Sequence, residues 1–318
     1  MGTADARDRA VGAESAGMTP GQRFRELLAR PGMLLMPGAY DALSARIIAA
    51  HGFEAIVCGG FAAAGSLRGE PDVGQMTMQD YVDQYGRIAQ AVDVPVFVDA
   101  DTGFGGVNNV RRAIKAFEGA GVAGLFIEDQ AFPKRCGYLP GKTLIPVEEM
   151  VAKIHAALDA RNDPSFYFVA RTDALGVDGI DAAIERAHRY MAAGADMAFV
   201  QGADTIESLT RVCREVPGPQ LANVSQARGK EHLPLAQLEQ TGAAACTFPS
   251  LALFAAAAGV ERAISALAAG LPLHEIGEDL ISLNRYNELV GLDEHNAREE
   301  RFEEAGRLSA TPPLSSRA

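Results

Sequence analysis

The sequence predicts an α/β protein, an eight-stranded (β/α)8 barrel of the TIM type followed by a C-terminal helical extension. Two observations carry this. From about Met33 one pattern recurs eight times: a short apolar run, a polar or glycine cluster, then an amphipathic, alanine-rich segment with helical spacing. The first run also ends in Pro-Gly-Ala-Tyr-Asp, with no G-x-G-x-x-G turn, which argues against a doubly wound open sheet. In order, residues 1–19 are rich in Ala, Gly and charge without an apolar core and read as a disordered leader, not a signal peptide. Residues 20–270 hold the barrel. Its strands are expected at Met33–Pro37, Ala55–Gly59, Val94–Asp99, Ala123–Glu128, Phe166–Arg171, Met197–Gln201, Gln220–Val224 and Ala243–Pro249. Between strands five and six, Ile184, Ala187, Tyr190 and Met191 form one helical face, and Gly194 suits a left-handed cap. In residues 271–318, Leu280, Leu283, Tyr286 and Leu289 share a face that needs a partner, so the extension is expected to assemble a homo-oligomer, a dimer of dimers with the extension swapped between subunits. Ser309 to Ala318 reads as a frayed end.

Composition excludes several classes of function. Among 318 residues, 48% are hydrophobic and 22% charged, so a sizeable core is available. The net charge is −12 and the cations are scattered, which disfavours nucleic acid as a partner. Apolar stretches such as Ser250 to Val260 fall short of the roughly 20 residues of a membrane span, and no membrane partner is expected. Cys58, Cys136, Cys213 and Cys246 are widely spaced, without C-x-x-C, and are expected to be reduced thiols of a cytoplasmic protein.

Barrel chemistry gathers at the C-terminal ends of the strands. Here those ends are Tyr40, Asp41 and Ser44; Cys58, Gly59 and Gly60; Asp99 and Asp101; Glu128 and Asp129; Arg171 and Asp173; Gln201; Asn223; Thr247 and Ser250. No histidine is among them, which disfavours histidine catalysis and histidine ligation of a metal. Asp99, Asp101 and Glu128 crowd one mouth, and like charges raise one another's pKa unless a cation intervenes. Oxygen ligands favour Mg²⁺, with Mn²⁺ possible; alternatively the acids cap the following helices. Arg171 suits a substrate carboxylate or phosphate, or a structural ion pair, and Gly59-Gly60 can offer backbone N–H groups to an anion. Glu128 opens a long loop in which Lys134 and Arg135 flank Cys136, with Gly137 and Gly141 as hinges. Such a loop can act as a lid, and adjacent cations should lower the thiol's pKa. Cys213 and Cys246 are expected in the core, and Cys58 either in the core or against the pocket.

Asp-Ala-Asp after strand three, Glu-Asp-Gln after strand four, Lys-Arg-Cys-Gly in the loop and Ala-Arg-Thr-Asp-Ala on strand five together resemble the isocitrate lyase and phosphoenolpyruvate mutase superfamily. The resemblance extends from about Gly38 to Gly270 and is closest to its 2-methylisocitrate and 2,3-dimethylmalate lyases. It implies a Mg²⁺-dependent carbon–carbon lyase that cleaves a 2-hydroxy di- or tricarboxylate to pyruvate or glyoxylate plus a carboxylate. The reaction passes through a metal-held enolate, with Cys136 as proton donor. By motif, Asp99, Asp101 and Glu128 form the metal site, with Asp101 the expected direct ligand. Cys136, Arg171, Tyr138, Lys134 and Glu128 are the expected catalytic groups, Tyr138 or an ordered water serving as base. Tyr40, Ser44, Cys58, Gly59, Gly60, Asp72, Arg135, Gly137, Gln201 and Asn223 are expected against the substrate. The chain departs from the lyases at Tyr138 (usually His), Gln201 (usually Glu), Cys58 (often Ser) and Asn223-Val-Ser-Gln (usually Asn-x-x-Glu), which points to a smaller or less acidic substrate. The same enolate chemistry leaves three alternatives: oxaloacetate hydrolysis, oxaloacetate decarboxylation, or a carboxyphosphonoenolpyruvate-type phosphonomutase. A catalytically silent binding protein is the reading from outside enzymology.

Overall fold

A computed structural model describes residues 17–225, 233–277 and 280–309. All eight expected strands form, each trimmed or shifted by a residue or two: β1 Leu34–Pro37, β2 Ile56–Cys58, β3 Val96–Asp99, β4 Gly124–Glu128, β5 Tyr167–Thr172, β6 Met197–Val200, β7 Leu221–Asn223 and β8 Ala245–Phe248. Every pairing is parallel. The runs β2-β3-β4-β5-β6 and β1-β8-β7 are joined by single bridges, Gly38 to Val57 and Ala198 to Gln220, which close the barrel. The seam is tight: a Cβ at Gly38 would lie 2.2 Å from the Pro249 carbonyl oxygen, so only glycine fits.

The two-residue period of a strand sorts the side chains into layers. Val57, Phe97, Phe126, Val169 and Phe199 fill the interior, while Ile56, Cys58, Val98, Leu125, Ile127 and Phe168 pack beneath the helices. The helix Ile180–Ala192 buries Ala183, Ile184, Ala187 and Tyr190 as its spacing predicts, and Gly194 turns with φ of 101°. At the opposite end from the strand termini that carry the polar ring, the helix Pro20–Ala29 is held by a capping box between Thr19 and Gln22 and carries Pro at its start. Its Phe24 stacks on Phe97 at 5.4 Å and meets Tyr167 edge-on at 5.3 Å, plugging the barrel floor.

The chain divides into two compact units, 1–258 and 259–318, and the division falls inside the helix Leu251–Ala268. That helix also corrects the expected end of the apolar run at Val260. It continues to Ala268, buries no residue, and is long and apolar enough by length and composition to cross a bilayer. Glu261 and Arg262 sit in its middle, where each charge would cost about 2.5–3.5 kcal/mol in a membrane centre, which weighs against that use. The second unit adds helices Leu273–Gly277, Leu283–Val290 and Leu292–Ser309. Of the expected apolar face, Leu289 is buried, Leu283 and Tyr286 are exposed, and Leu280 precedes the helix. Most of the expected leader and all of 310–318 lie outside the described residues.

Candidate active site

The loop after β4 is a hairpin whose stem is fastened by backbone pairing of Gln130 with Leu144 and of Ala131 N with Thr143 O at 2.8 Å. Gln130 brackets Arg135: its Oε1 accepts from the Arg135 N–H at 2.9 Å and its Nε2 donates to the Arg135 carbonyl at 2.8 Å. The Cys136 N–H donates to the Asp72 carbonyl at 3.0 Å, drawing the loop down over the strand ends. Beneath it lies a cavity of about 60 Å³ whose lining includes Gly59, Gly60, Asp72, Asp99, Lys134, Cys136, Gly137, Tyr138, Arg171, Gln201 and Asn223. Most of the expected site residues are thus gathered, together with Phe61, Phe126, Phe199 and Thr247. Strand alternation could have identified Phe126 and Phe199 as inward-facing, and Thr247 stood at a strand end.

Five expectations are corrected. Cys58 is wholly buried in the outer layer, because on β2 it is Val57 that points inward. Tyr40 and Ser44 do not line the cavity: Ser44 closes a capping box with Asp41, so the chain turns at once into the helix Ala42–Ala50. Arg135 is exposed and lies off the cavity. The Gly60 N–H donates to the protein's own carboxylate, Asp99 Oδ2, at 3.0 Å and not to a substrate anion. Burial pushes the Cys136 thiol up, not down, the flanking cation Lys134 being committed to acids.

Those acids define the charged half of the site. Lys134 Nζ lies 2.7 Å from both Asp72 Oδ1 and Asp101 Oδ1, with its side chain 2% exposed. Asp101 holds a left-handed backbone, φ 48°, in the turn after β3 and accepts from Tyr81 Oη at 3.3 Å. Its own N–H donates to Asp99 Oδ1 at 2.9 Å. Arg171 is clamped by Asp173 (Nε to Oδ2 2.9 Å, Nη2 to Oδ1 3.1 Å) above the rings of Phe126 and Phe199, and its Nη1 is 3.1 Å from Glu128 Oε2. Asp173 is held below the ordinary range: burial opposes this, and Arg171 and Lys142 overcome it. Asp129, fully buried, accepts from Thr172 Oγ1, Tyr190 Oη, Arg186 Nη1 and the Asp173 N–H, locking β4 to β5.

A divalent cation fits here. Glu128 is buried, and neither carboxylate oxygen has a hydrogen-bond partner, the Arg171 approach lying off the hydrogen-bonding direction. The carboxylates Asp72, Asp99, Asp101, Glu128 and Asp173 face three cations, Lys134, Lys142 and Arg171, leaving two negative charges if all ionise. Burial, opposed by Lys134 and aided by Asp99 and Asp72, pushes Asp101 up to about 7, and burial raises Glu128 well above the usual carboxylate range. Among the described residues no three His, Cys, Asp or Glu side chains form a ready-made cage, and Asp99, not Asp101, is the member of its pair that lines the cavity. One or two direct carboxylates with waters to the rest is the arrangement Mg²⁺ prefers.

The other half is uncharged. Asn223 Nδ2 donates to Tyr138 Oη at 3.1 Å and to Gln201 Oε1 at 3.4 Å, and Thr247 Oγ1 donates to Asn223 Oδ1 at 2.9 Å. Burial raises the Tyr138 phenol, so it stays protonated and is a poor base. Gln201 is 2% exposed and its Nε2 is buried without a hydrogen-bond partner. Gly137 is required between the halves, since a Cβ there would lie 2.6 Å from both Arg171 Nη2 and Gln201 Cγ.

Residues 24–268 match the family model described as phosphoenolpyruvate phosphomutase. The chain is 37% identical over 284 residues to 2,3-dimethylmalate lyase of Eubacterium barkeri, covering 88% of this chain and 98% of that one. It is 41% identical over 236 residues to 2-methylisocitrate lyase of Shewanella oneidensis, covering 74% and 80%. Oxaloacetate acetylhydrolase bound to 3,3-difluorooxalacetate superposes with a TM-score of 0.82 at 28% identity, covering 91% of this chain and 97% of that one.

Proposed function

Because the chain belongs to the isocitrate lyase and phosphoenolpyruvate mutase superfamily as one of its carbon–carbon lyases, we propose that it cleaves a 2-hydroxy acid of the dimethylmalate or methylisocitrate kind to a 2-oxo acid and a carboxylate. The observation that carries this reading is a half-buried thiol, Cys136, lining the same cavity as Arg171, with burial pushing the thiol up and so toward its protonated form. A retro-aldol cleavage leaves an enolate on one fragment, and that fragment needs a proton at carbon. Cys136 supplies it.

Arg171, already oriented by Asp173, binds the carboxylate of the nascent 2-oxo acid, and a fixed cation over apolar rings gains strength from the dry surroundings. With Tyr138 protonated, the base is a water held beside Asp72 and Asp99. Asp99, Asp101 and Glu128 are the residues that would hold Mg²⁺, which would supply the positive charge that favours an enolate over its carbon acid. Lys134 bridges Asp72 and Asp101 and ties the loop to them.

The neutral wall of Tyr138, Asn223, Gln201 and Thr247 sets the substrate's far end. An unpartnered Gln201 N–H asks for one acceptor and offers no full charge to a second or third carboxylate. A dicarboxylate with an alkyl substituent is favoured over a tricarboxylate. The test is proton NMR of the protein with Mg²⁺ and a panel of 2,3-dimethylmalate, citramalate, 2-methylisocitrate, isocitrate and oxaloacetate. Pyruvate or glyoxylate from one hydroxy acid is the expected result, and 2-methylisocitrate as the best substrate by kcat/KM would overturn the wall's role. The likeness to an oxaloacetate hydrolase favours one second reading, in which oxaloacetate alone is consumed. Acetate plus oxalate would then mark hydrolysis, and pyruvate decarboxylation.

The exposed apolar residues of the unit 259–318, among them Ile264, Leu267, Leu273, Leu283 and Phe302, form the surface through which copies of the chain associate in this reading. Light scattering at the mass of one chain would overturn it.

A further inference from the structure

Lys142 lies at the far end of the loop hairpin and is not among the residues that line the cavity, yet its side chain is 6% exposed. A lysine is buried at this cost only if its ammonium is well paired. Two acceptors receive it. One is Asp173 Oδ1 at 3.0 Å, the oxygen that also accepts from Arg171 Nη2; the other is the carbonyl of Gly137, the residue after Cys136. Gly176 leaves room for it, since a Cβ there would come within 3.3 Å of Nζ. The contacts are therefore continuous from the residue next to the thiol, through Lys142 and Asp173, to the guanidinium. They join two parts of the site that come from different loops and are otherwise held by independent means: Arg171 from β5, and Cys136 from the hairpin tip.

We propose that Lys142 is a positioning residue that sets the Cys136 thiol at a fixed distance from the Arg171 guanidinium, and so from the departing carbon, which is bonded to the one whose carboxylate Arg171 holds. This rests on the lyase reading for its chemical meaning, although the linkage itself does not. The expected signature differs from that of a residue that merely stabilises the fold. A proton donor displaced by about 1 Å can lose on the order of 10²-fold in rate, whereas ground-state binding through Arg171 survives. Arginine at position 142 can donate to both oxygens. Methionine and glutamine keep length or polarity but remove the charge.

The experiment uses the full chain with Mg²⁺ and measures kcat and KM on the hydroxy acid found above. It also follows alkylation of Cys136 and Cys213 by iodoacetamide, by mass spectrometry of their peptides. Lys142→Met should lower kcat by about 10- to 100-fold with KM nearly unchanged. It should speed alkylation of Cys136 but not of Cys213, and Lys142→Arg should restore both. Lys142→Gln gives the same reading if the methionine variant does not fold. Unchanged Cys136 alkylation in the variant overturns the proposal, as does equal acceleration at Cys213, which would mean general loosening. If the wild type cleaves no hydroxy acid while Lys142→Met still exposes Cys136 selectively, the linkage stands and the lyase reading falls.

Discussion

The two ends of the barrel are buried to a similar degree and built on opposite terms. At the floor, Phe24 stacks on Phe97 and meets Tyr167 edge-on, and Thr19 fixes the helix that delivers it by donating to Asp163 Oδ2 at 2.5 Å. At the mouth, Asp72, Asp99, Asp101, Glu128 and Asp173 share a small volume with Lys134, Lys142 and Arg171. Apolar burial gains free energy everywhere, whereas buried ion pairs roughly break even against desolvation and are sharply unfavourable once a partner is lost. The floor stabilises the fold that the mouth spends on chemistry, so damage to each end should show in a different observable.

The largest contrast comes from Cys136→Ser. Cleavage should fall by about 10²- to 10⁴-fold while thermal stability and Mg²⁺ affinity by calorimetry stay as they were, because a positioned acid acts only on the barrier. Undiminished turnover would remove Cys136 from the reaction. Phe24→Ala is the mirror image. It should lower stability by about 3–5 kcal/mol, read in a denaturant titration, while kcat holds at temperatures where the variant remains folded. A fall in kcat without a loss of stability would show that floor and mouth are not independent. Removing the divalent ion with a chelator comes next. A ligand present at about 100 times its Kd adds about 2.7 kcal/mol, so the melting temperature should fall by several degrees on chelation. An unchanged melting temperature would mean that Lys134 alone balances the acids. The smallest effect is expected for Thr19→Ala, about 1 kcal/mol from the lost cap, with no change in kinetics.

Much of the fold was legible because parallel strands buried on both faces leave uninterrupted apolar runs, and eight of them are visible between Met33 and Pro249. Val57 and Cys58 show where legibility stopped. Both are apolar, and only the phase of a three-residue strand decides which one faces the interior. Ser44 was misplaced because a residue just past a strand end serves equally as a helix cap, and local hydrogen bonding to Asp41 won. The loop motif singled out Cys136 and Lys134, which both line the cavity, but gave the wrong direction for the thiol. Sequence adjacency says nothing of where a lysine's four-carbon stem takes its charge, and Lys134 carries it to Asp72 and Asp101. The roles of Lys142, Asp129 and Gln130 were not legible for a related reason: they depend on partners up to some sixty residues away, such as Tyr190.

The cavity of about 60 Å³ gives room to only a handful of water-sized groups, and Cys136, Gly137 and Tyr138 of the hairpin form one of its walls. If the hairpin swings away to admit substrate and again to let two products leave, the Lys134 and Lys142 contacts break and re-form on each cycle. Throughput then becomes a question of traffic through a door, and thickening the solvent should slow the enzyme even where bond cleavage is unaffected.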